Sequence, residues 1–567
     1  MLSVCLVFLY IFLSAYIAGF LVLAVIGRVF GREGCRKRKV KPDAYVMAGL
    51  AAVTVYAQIF SLFYKVGLLA NLLLVFGCVM TAVLFRQELW KTVKEQCISI
   101  SGRRKIFYLI LFLLFAYGTS RGIIHYDTGL YHAQSIRWIE EYGVVKGLGN
   151  LHCRLAYNSS AFCLSALYSF SFLGGQSYHC AAGFFALLLA GMCGEVAAAW
   201  KRKRLFLADI ARLIGIYYLM IIFDEMISPA SDYFMVLTVF YIVIRYLELA
   251  EEGEKEWLPF ALLALLGVYA VSLKLSAAPV VLLAVKPAGM LMKEKNGKGI
   301  AGFLALGIAV LLPFLIRNVL ISGWLVYPFT AVDLFSADWK IPKEIADYDA
   351  KEIQVWGRGI YDVSRYGEPA GKWIKDWFAS QTALDRLFVL AGLAAVPTSF
   401  GAWAAGAVKG LDEQRDMMLA AVTVNLSFLF WMFSAPLIRY GCVYVWLAAP
   451  LTFGGLTLWL VPNERWGKYF WQGVYALVVF AGLYKFQAWG REMAAGYSPE
   501  YFIYQKDYEN YKVEEYRIEG ITFYRPAEGD RTGYDAFPSS PSGAGIYLRG
   551  TGLEDGFINK EQEDILE

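Results

Sequence analysis

Apolar side chains in this chain come in long runs divided by short polar connections. A helix needs about 20 mainly apolar residues to cross a bilayer. The runs predict about fourteen such helices, over 2–26, 45–63, 68–85, 106–120, 180–199, 205–223, 233–249, 259–271, 277–292, 302–316, 387–408, 418–433, 443–461 and 469–485. The connections give them an orientation. Arg28, Arg32, Arg36, Lys37, Arg38, Lys39 and Lys41 form one basic loop, and Arg86, Lys91, Lys94, Arg103, Arg104 and Lys105 form a second; such loops belong on the cytoplasmic side. The first run has no basic residues ahead of it and reads as a retained span. The polar segments 121–178 and 317–386 then face outward, with both termini.

Two stretches break the pattern. The run 161–173 has only about two-thirds of the length of a span, and crossing would put the block Lys201-Arg202-Lys203-Arg204 outside. It is expected to lie on the bilayer as an interfacial helix, partnered by 129–142, where Leu130, Ala133, Ile136 and Ile139 recur every three residues. Beyond 487 the composition turns to Tyr, Gly, Pro and charge, and 512–524 alternates around Glu519-Gly520 as a hairpin does. The tail has too few apolar residues for a core of its own. The fold expected is an all-α polytopic membrane protein: N-terminal transmembrane helices over 1–105, a transmembrane core with two external loops over 106–486, and a small external α/β or β appendage over 487–567.

Composition agrees, with 58% of the 567 residues apolar and 18% charged. The net charge of +5 comes from the inner loops, so it does not call for a nucleic-acid partner. Nine cysteines include no CxxC pair, which argues against a zinc site and against a disulfide framework.

Candidate chemistry gathers in 121–160, which holds His125, His132, His152 and Asp127, with His179 soon after. Asp127 follows directly on a span, where its carboxylate can serve as a general base. Asp127 and Thr128 also precede a helical pattern, and both types cap helices well. Further charges stand at outward ends of spans: Asp224, Glu225, Asp232, Lys274, Arg317 and Arg439. Ionised groups at one membrane level point to a shared polar cavity. A carboxylate beside separate cations suits transfer of a sugar from a lipid-phosphate donor, the cations holding the departing phosphate. His125, Asp127 and His132 offer metal-ligand types, but their spacing follows no common zinc pattern.

An Asp between a span and two surface helices, followed by KLSAAP and by RN with GWLVYPF, resembles the GT-C superfamily of integral-membrane glycosyltransferases, which includes aminoarabinose transferases and protein O-mannosyltransferases. HYDTGLYHAQSIRWIEEYGVV, NSSAF, APLIRYG, YDAFPSSP and LRGTGLEDGF resemble, more closely, a bacterial family of multipass proteins described only as membrane proteins. The superfamily resemblance implies Asp127 as the loop carboxylate and Asp232 as a second acidic position. His125, His132, His152, Arg154, Asn158, Lys274, Arg317, Asn318, Tyr327 and Arg439 become candidate substrate contacts. It implies an inverting transferase in the bacterial cytoplasmic membrane, its site facing outward, with a polyprenyl-phosphate sugar as donor and an envelope glycan, lipid or protein as acceptor. Three spans precede the one that leads into the Asp loop, where many members have a single span before the loop, and no acidic pair stands at 127; a divalent metal therefore stays open. A polysaccharide polymerase or ligase using Arg439 shares the donor chemistry. A transporter or flippase of lipid-linked glycans is the non-enzymatic alternative, and the paired inverted halves it favours are not seen.

Overall fold

The helix Ser231–Glu251 lies at the centre of the bundle, with every residue from Asp232 to Ala250 buried. Its apolar middle separates two charged ends. At one end Arg245 meets Asp43 at 2.5 Å and also Glu248, Arg212 meets Asp209 at 2.6 Å and also Glu248, and Lys41 lies 3.1 Å from both Glu195 and Glu248. At the other end stands Asp232. From Asp232 to Glu248 the helix rises about 24 Å at 1.5 Å per residue, a little less than the ~30 Å hydrocarbon thickness.

The computed structural model describes residues 1–30, 40–201, 206–460, 464–541 and 545–559. Among these, nine helices are long and apolar enough to cross a membrane: Leu2–Phe30, Pro42–Ser61, Ala181–Ala199, Ser231–Glu251, Leu275–Lys293, Gly297–Ser322, Ala383–Val408, Asp412–Ser434 and Ile438–Trp459. Leu68–Leu84 and Arg86–Ser99 meet at 90° and make a broken tenth candidate. The expected spans 205–223 and 259–271 form helices of 16 and 17 residues, Leu207–Ile222 and Trp257–Leu273. Run 106–120 extends back to Gly102–Ser120, and 469–485 lies within Glu464–Gly496. Arg32, Cys35, Arg36, Lys37, Arg38, Lys39, Arg202, Lys203 and Arg204 lie outside the described residues. The first two helices pack backbone to backbone. A Cβ on Gly19 would fall 1.8 Å from the Tyr45 carbonyl oxygen, and one on Gly49 would fall 1.7 Å from that of Ala15. Small residues permit such an approach.

The two short helices of the first loop do not lie on a surface, which corrects the interfacial expectation. Ser160–Leu167 is buried at every residue, and Ala133–Glu141 at all but Arg137 and Glu141. The reason is that other parts of the chain cover each. Asn71 Nδ2 donates to Leu167 O at 2.9 Å, and Ser160 Oγ lies 2.9 Å from Ser272 Oγ. Gln134 donates to the C-terminal tail at Gly533 O, 2.8 Å, and Ala536 O, 2.9 Å. The tail contains the expected hairpin, Val513–Ile518 paired antiparallel with Ile521–Pro526, plus a small pair Ile546–Leu548 and Phe557–Asn559. Instead of standing apart, it packs on the first loop. The second loop contains the helices Lys343–Gly357 and Ala370–Ser380, and Asp349 joins it to the first by accepting from Tyr157 Oη at 2.9 Å.

Both loops therefore share one face, opposite the Arg245 end. Leu173 and Leu334 are well exposed there, and native Cys97 is exposed elsewhere. In a chain whose other cysteines are replaced, a membrane-impermeant thiol reagent should modify Leu173→Cys and Leu334→Cys from one side of the membrane and Cys97 from the other. Modification of the two introduced cysteines from opposite sides would break this arrangement.

Candidate functional site

Four separate stretches deliver one ionic cluster. Asp127 comes from the first loop, Asp232 from the first turn of Ser231–Glu251, Lys274 from the end of Trp257–Leu273, and Arg439 from the start of Ile438–Trp459. Arg439 Nη2 lies 2.8 Å from Asp127 Oδ2, its Nε lies 3.5 Å from Asp232 Oδ2, and its Nη1 contacts the His125 ring. Lys274 Nζ pairs with the other oxygen of Asp232 and sits 3.9 Å from the centre of the Tyr440 ring. Glu225 adjoins through Tyr233, whose hydroxyl donates to it at 2.6 Å. Arg439 and Lys274 keep about a quarter of their side chains exposed, at 28% and 24%, so the cluster is reachable.

Local structure explains each placement. Leu273 O, left unpaired where its helix ends, accepts from Ser159 Oγ at 2.7 Å, which ties the first loop beside Lys274. Arg439 precedes a break in its helix at Gly441, where a Cβ would lie 2.4 Å from Trp431 Cδ1. Asp127 has helical backbone angles and no capping hydrogen bond. The N-cap reading is corrected, since its carboxylate turns to Arg439 and the Thr128 hydroxyl turns to His132 Nδ1 at 3.3 Å. The turn that follows, Thr128–His132, is π-helical, a rare geometry that recurs at functional sites.

Other candidates fall outside this cluster. Arg317 is 2% exposed, so the expectation that it faces a common polar cavity is corrected. It lies inside a helix that continues to Ser322, donating to Asn158 Oδ1 at 3.0 Å and to Ser61, while Asn158 donates to Asn318 Oδ1 at 2.8 Å. That network joins the first loop to two helices through neutral oxygens. Arg154 pairs with Glu352 at 3.4 Å, and Tyr327 is buried beside Tyr157 with ring centres 6.2 Å apart. His152 accepts from the Arg154 amide at 3.3 Å, and Asp224 is taken by Arg121 at 2.8 Å. Tyr440 and the tail residues were not among the sequence candidates; adjacency to Arg439 was the only signal for the former. Among the described residues no group of three or more His, Cys, Asp or Glu side chains is gathered to hold a metal ion.

Burial raises the pKa of Asp127, but Arg439, then His132 and His125, pull it down further, so the carboxyl titrates below its ordinary range. Burial, followed by the Arg439 charge, lowers His125. Burial pushes His132 and His152 down to about 3 and His179 to about 4. The site at neutral pH is thus an ionised carboxylate on a guanidinium beside neutral imidazoles.

A mostly helical chain with this many membrane-length apolar helices is a multi-pass membrane protein, here with an ionic cluster at one end of its bundle. Residues 1–446 match the family described as a domain of unknown function, DUF8201, and the chain belongs to that family. No curated protein matches it, and no solved structure does.

The buried histidines make the loop face acid-sensitive. A folded-state pKa depressed from 6.5 means that the unfolded chain binds the extra protons, so stability is full above about 6.5 and falls as pH drops toward the folded values. Amide exchange in 128–133, 150–157 and 177–180, corrected for its intrinsic pH dependence, should rise reversibly between pH 6.5 and 4, while the Ser231–Glu251 helix stays protected. Unchanged protection in these loops down to pH 4 would contradict that assignment.

Proposed function

We propose that this protein is a GT-C-type membrane glycosyltransferase of the bacterial cytoplasmic membrane, moving a sugar from a polyprenyl-phosphate donor to an envelope acceptor on the outer face. The observation that carries the reading is the convergence of Asp127, Asp232, Lys274 and Arg439 at one end of the bundle. In the reaction, an acceptor hydroxyl oxygen bonds to the anomeric carbon as the bond from that carbon to the lipid-phosphate oxygen breaks. The hydroxyl proton passes to the Asp127 carboxylate, and the lipid phosphate leaves with the bond's electron pair. Lys274 and Arg439 receive that charge, Arg439 through a planar fork suited to phosphate. Asp232 holds both cations in place before the donor arrives.

Fourteen crossings remain our reading of the topology. The broken pair and the helices Gly102–Ser120, Leu207–Ile222, Trp257–Leu273 and Glu464–Gly496 supply the number beyond the nine. Crossings in that order put the basic loops inside and the Asp127 cluster outside, in keeping with the charge bias of cytoplasmic loops.

Purified protein in nanodiscs, given a panel of polyprenyl-phosphate glucose, mannose and arabinose with an oligosaccharide acceptor mixture, should release lipid phosphate from one donor. Asp127→Asn keeps the shape but not the base, and should fold with a stability loss of about 1.5–3 kcal/mol, the worth of a charge-assisted hydrogen bond. Its turnover should fall about two to four orders of magnitude. Arg439→Lys cannot span Asp127, Asp232 and His125 together and should fail similarly. Full turnover in a folded Asp127→Asn variant would remove Asp127 as the base.

A further inference from the structure

The tail grips the chain on both sides of Asp127. Ahead of it, Lys506 N donates to Ser120 O at 2.8 Å, Lys506 Nζ to Gly122 O at 3.1 Å, and Tyr126 Oη to Asp530. Behind it, the Gly129 carbonyl in the π-helical turn accepts from the amides of Thr532, 3.1 Å, and Gly533, 2.9 Å. Gln134 then donates to Gly533 O and Ala536 O, and Arg137 donates to Tyr534 O at 2.7 Å with its guanidinium over the Tyr534 and Phe537 rings. Glu140 accepts from Tyr534 Oη at 2.5 Å. We infer that residues 505–541 are a working part of the candidate site, a strap whose Thr532-Gly533 segment, seated on Gly129 and Gln134, sets the Asp127 carboxylate against Arg439. The effect on turnover rests on the transferase reading; the positioning itself does not.

The tail also approaches the turn closely. A Cβ on Gly129 would lie 2.6 Å from the Tyr511 ring. Gly533 has φ +76°, and a Cβ there would lie 2.5 Å from Glu509 O. A π turn is rare and occurs mostly as a single-turn local feature. Here the tail holds both its flanks. The dependence is mutual, because the strap lacks the apolar residues for a separate core and takes its order from the loop. Gln134, Thr532 and Gly533 act through Asp127 and are positioning residues. A shift of the reacting group by about 1 Å is enough to cost about 100-fold in rate.

The test compares Gly129→Ala, which drives a methyl into the Tyr511 ring, with Gln134→Glu, which has the shape of glutamine but lacks its two donors, in the full-length protein in nanodiscs. Hydrogen exchange should rise about tenfold or more in both 128–134 and 529–536, the scale of losing one to two hydrogen bonds, with Ser231–Glu251 unchanged. Gln134→Lys restores a donor at that position and should return most of the protection. With the donor that wild-type protein turns over, kcat should fall about 100-fold while KM stays within about twofold, as expected when orientation and not donor binding is lost. If either folded variant leaves exchange in both segments unchanged, the strap is not what holds the turn. If exchange rises but kcat is kept, the strap holds the turn without setting Asp127, and the inference fails. If wild-type protein turns over no donor, the transferase reading falls and the exchange result alone judges the positioning.

Discussion

One guanidinium holds one end of this bundle together. Arg439 reaches Asp127, which is 312 residues away in sequence, as well as Asp232 and His125, so one side chain closes a loop against two helices. Burying charge is costly unless each ion is paired. Arg439 and Lys274 balance Asp127 and Asp232, with Glu225 screened behind Tyr233. Only a planar donor fork can serve partners in these different directions at once. In the transferase we propose, a substrate phosphate entering the cluster would find two cations already held in place and an ionised carboxylate beside them.

The rest of the fold supplies the frame. The Ser231–Glu251 helix carries Asp232 at one end and, at the other, the Arg245 and Glu248 pairs that anchor the opposite end of the bundle. The first loop is clamped from three directions: Ser159 on Leu273 O, the Asn158 and Arg317 network, and the tail over Gly129 and Gln134. Asp349 adds the second loop through Tyr157, and burial keeps its carboxyl above the ordinary range. The result is a polar site on rigid supports at the edge of an apolar bundle, the placement that precise orientation requires.

Hydropathy and charge made much of this legible. Nine of the fourteen apolar runs became helices long and apolar enough to cross a membrane, the alternation around Glu519-Gly520 became the hairpin, and the charges Asp127, Asp232, Lys274 and Arg439, expected at span ends, became a physical cluster. What was not legible depended on contacts distant in sequence. The spacing of Leu130, Ala133, Ile136 and Ile139 shows one apolar face but not that the tail covers the polar one through Gln134 and Arg137. Periodicity reads a helix at 129 but cannot distinguish a π turn from an α turn. Arg317 has the look of a snorkelling cation, yet Asn158 and Ser61 hold it inside, and Asp127 has the look of a cap because its partner lies more than 300 residues away.

The central claim is that the Arg439 cluster receives a lipid phosphate, as opposed to serving only as an ionic lock. The most direct measurement is equilibrium binding of a short-chain polyprenyl phosphate to the purified protein, compared with a neutral polyprenol of the same chain. The account predicts that the phosphate binds at least about tenfold more tightly than the alcohol, the value of one charge-assisted contact, and that Lys274→Ala weakens that preference about tenfold while leaving binding of the alcohol unchanged. Equal binding of phosphate and alcohol, or a preference for phosphate that is undiminished in Lys274→Ala, would contradict it.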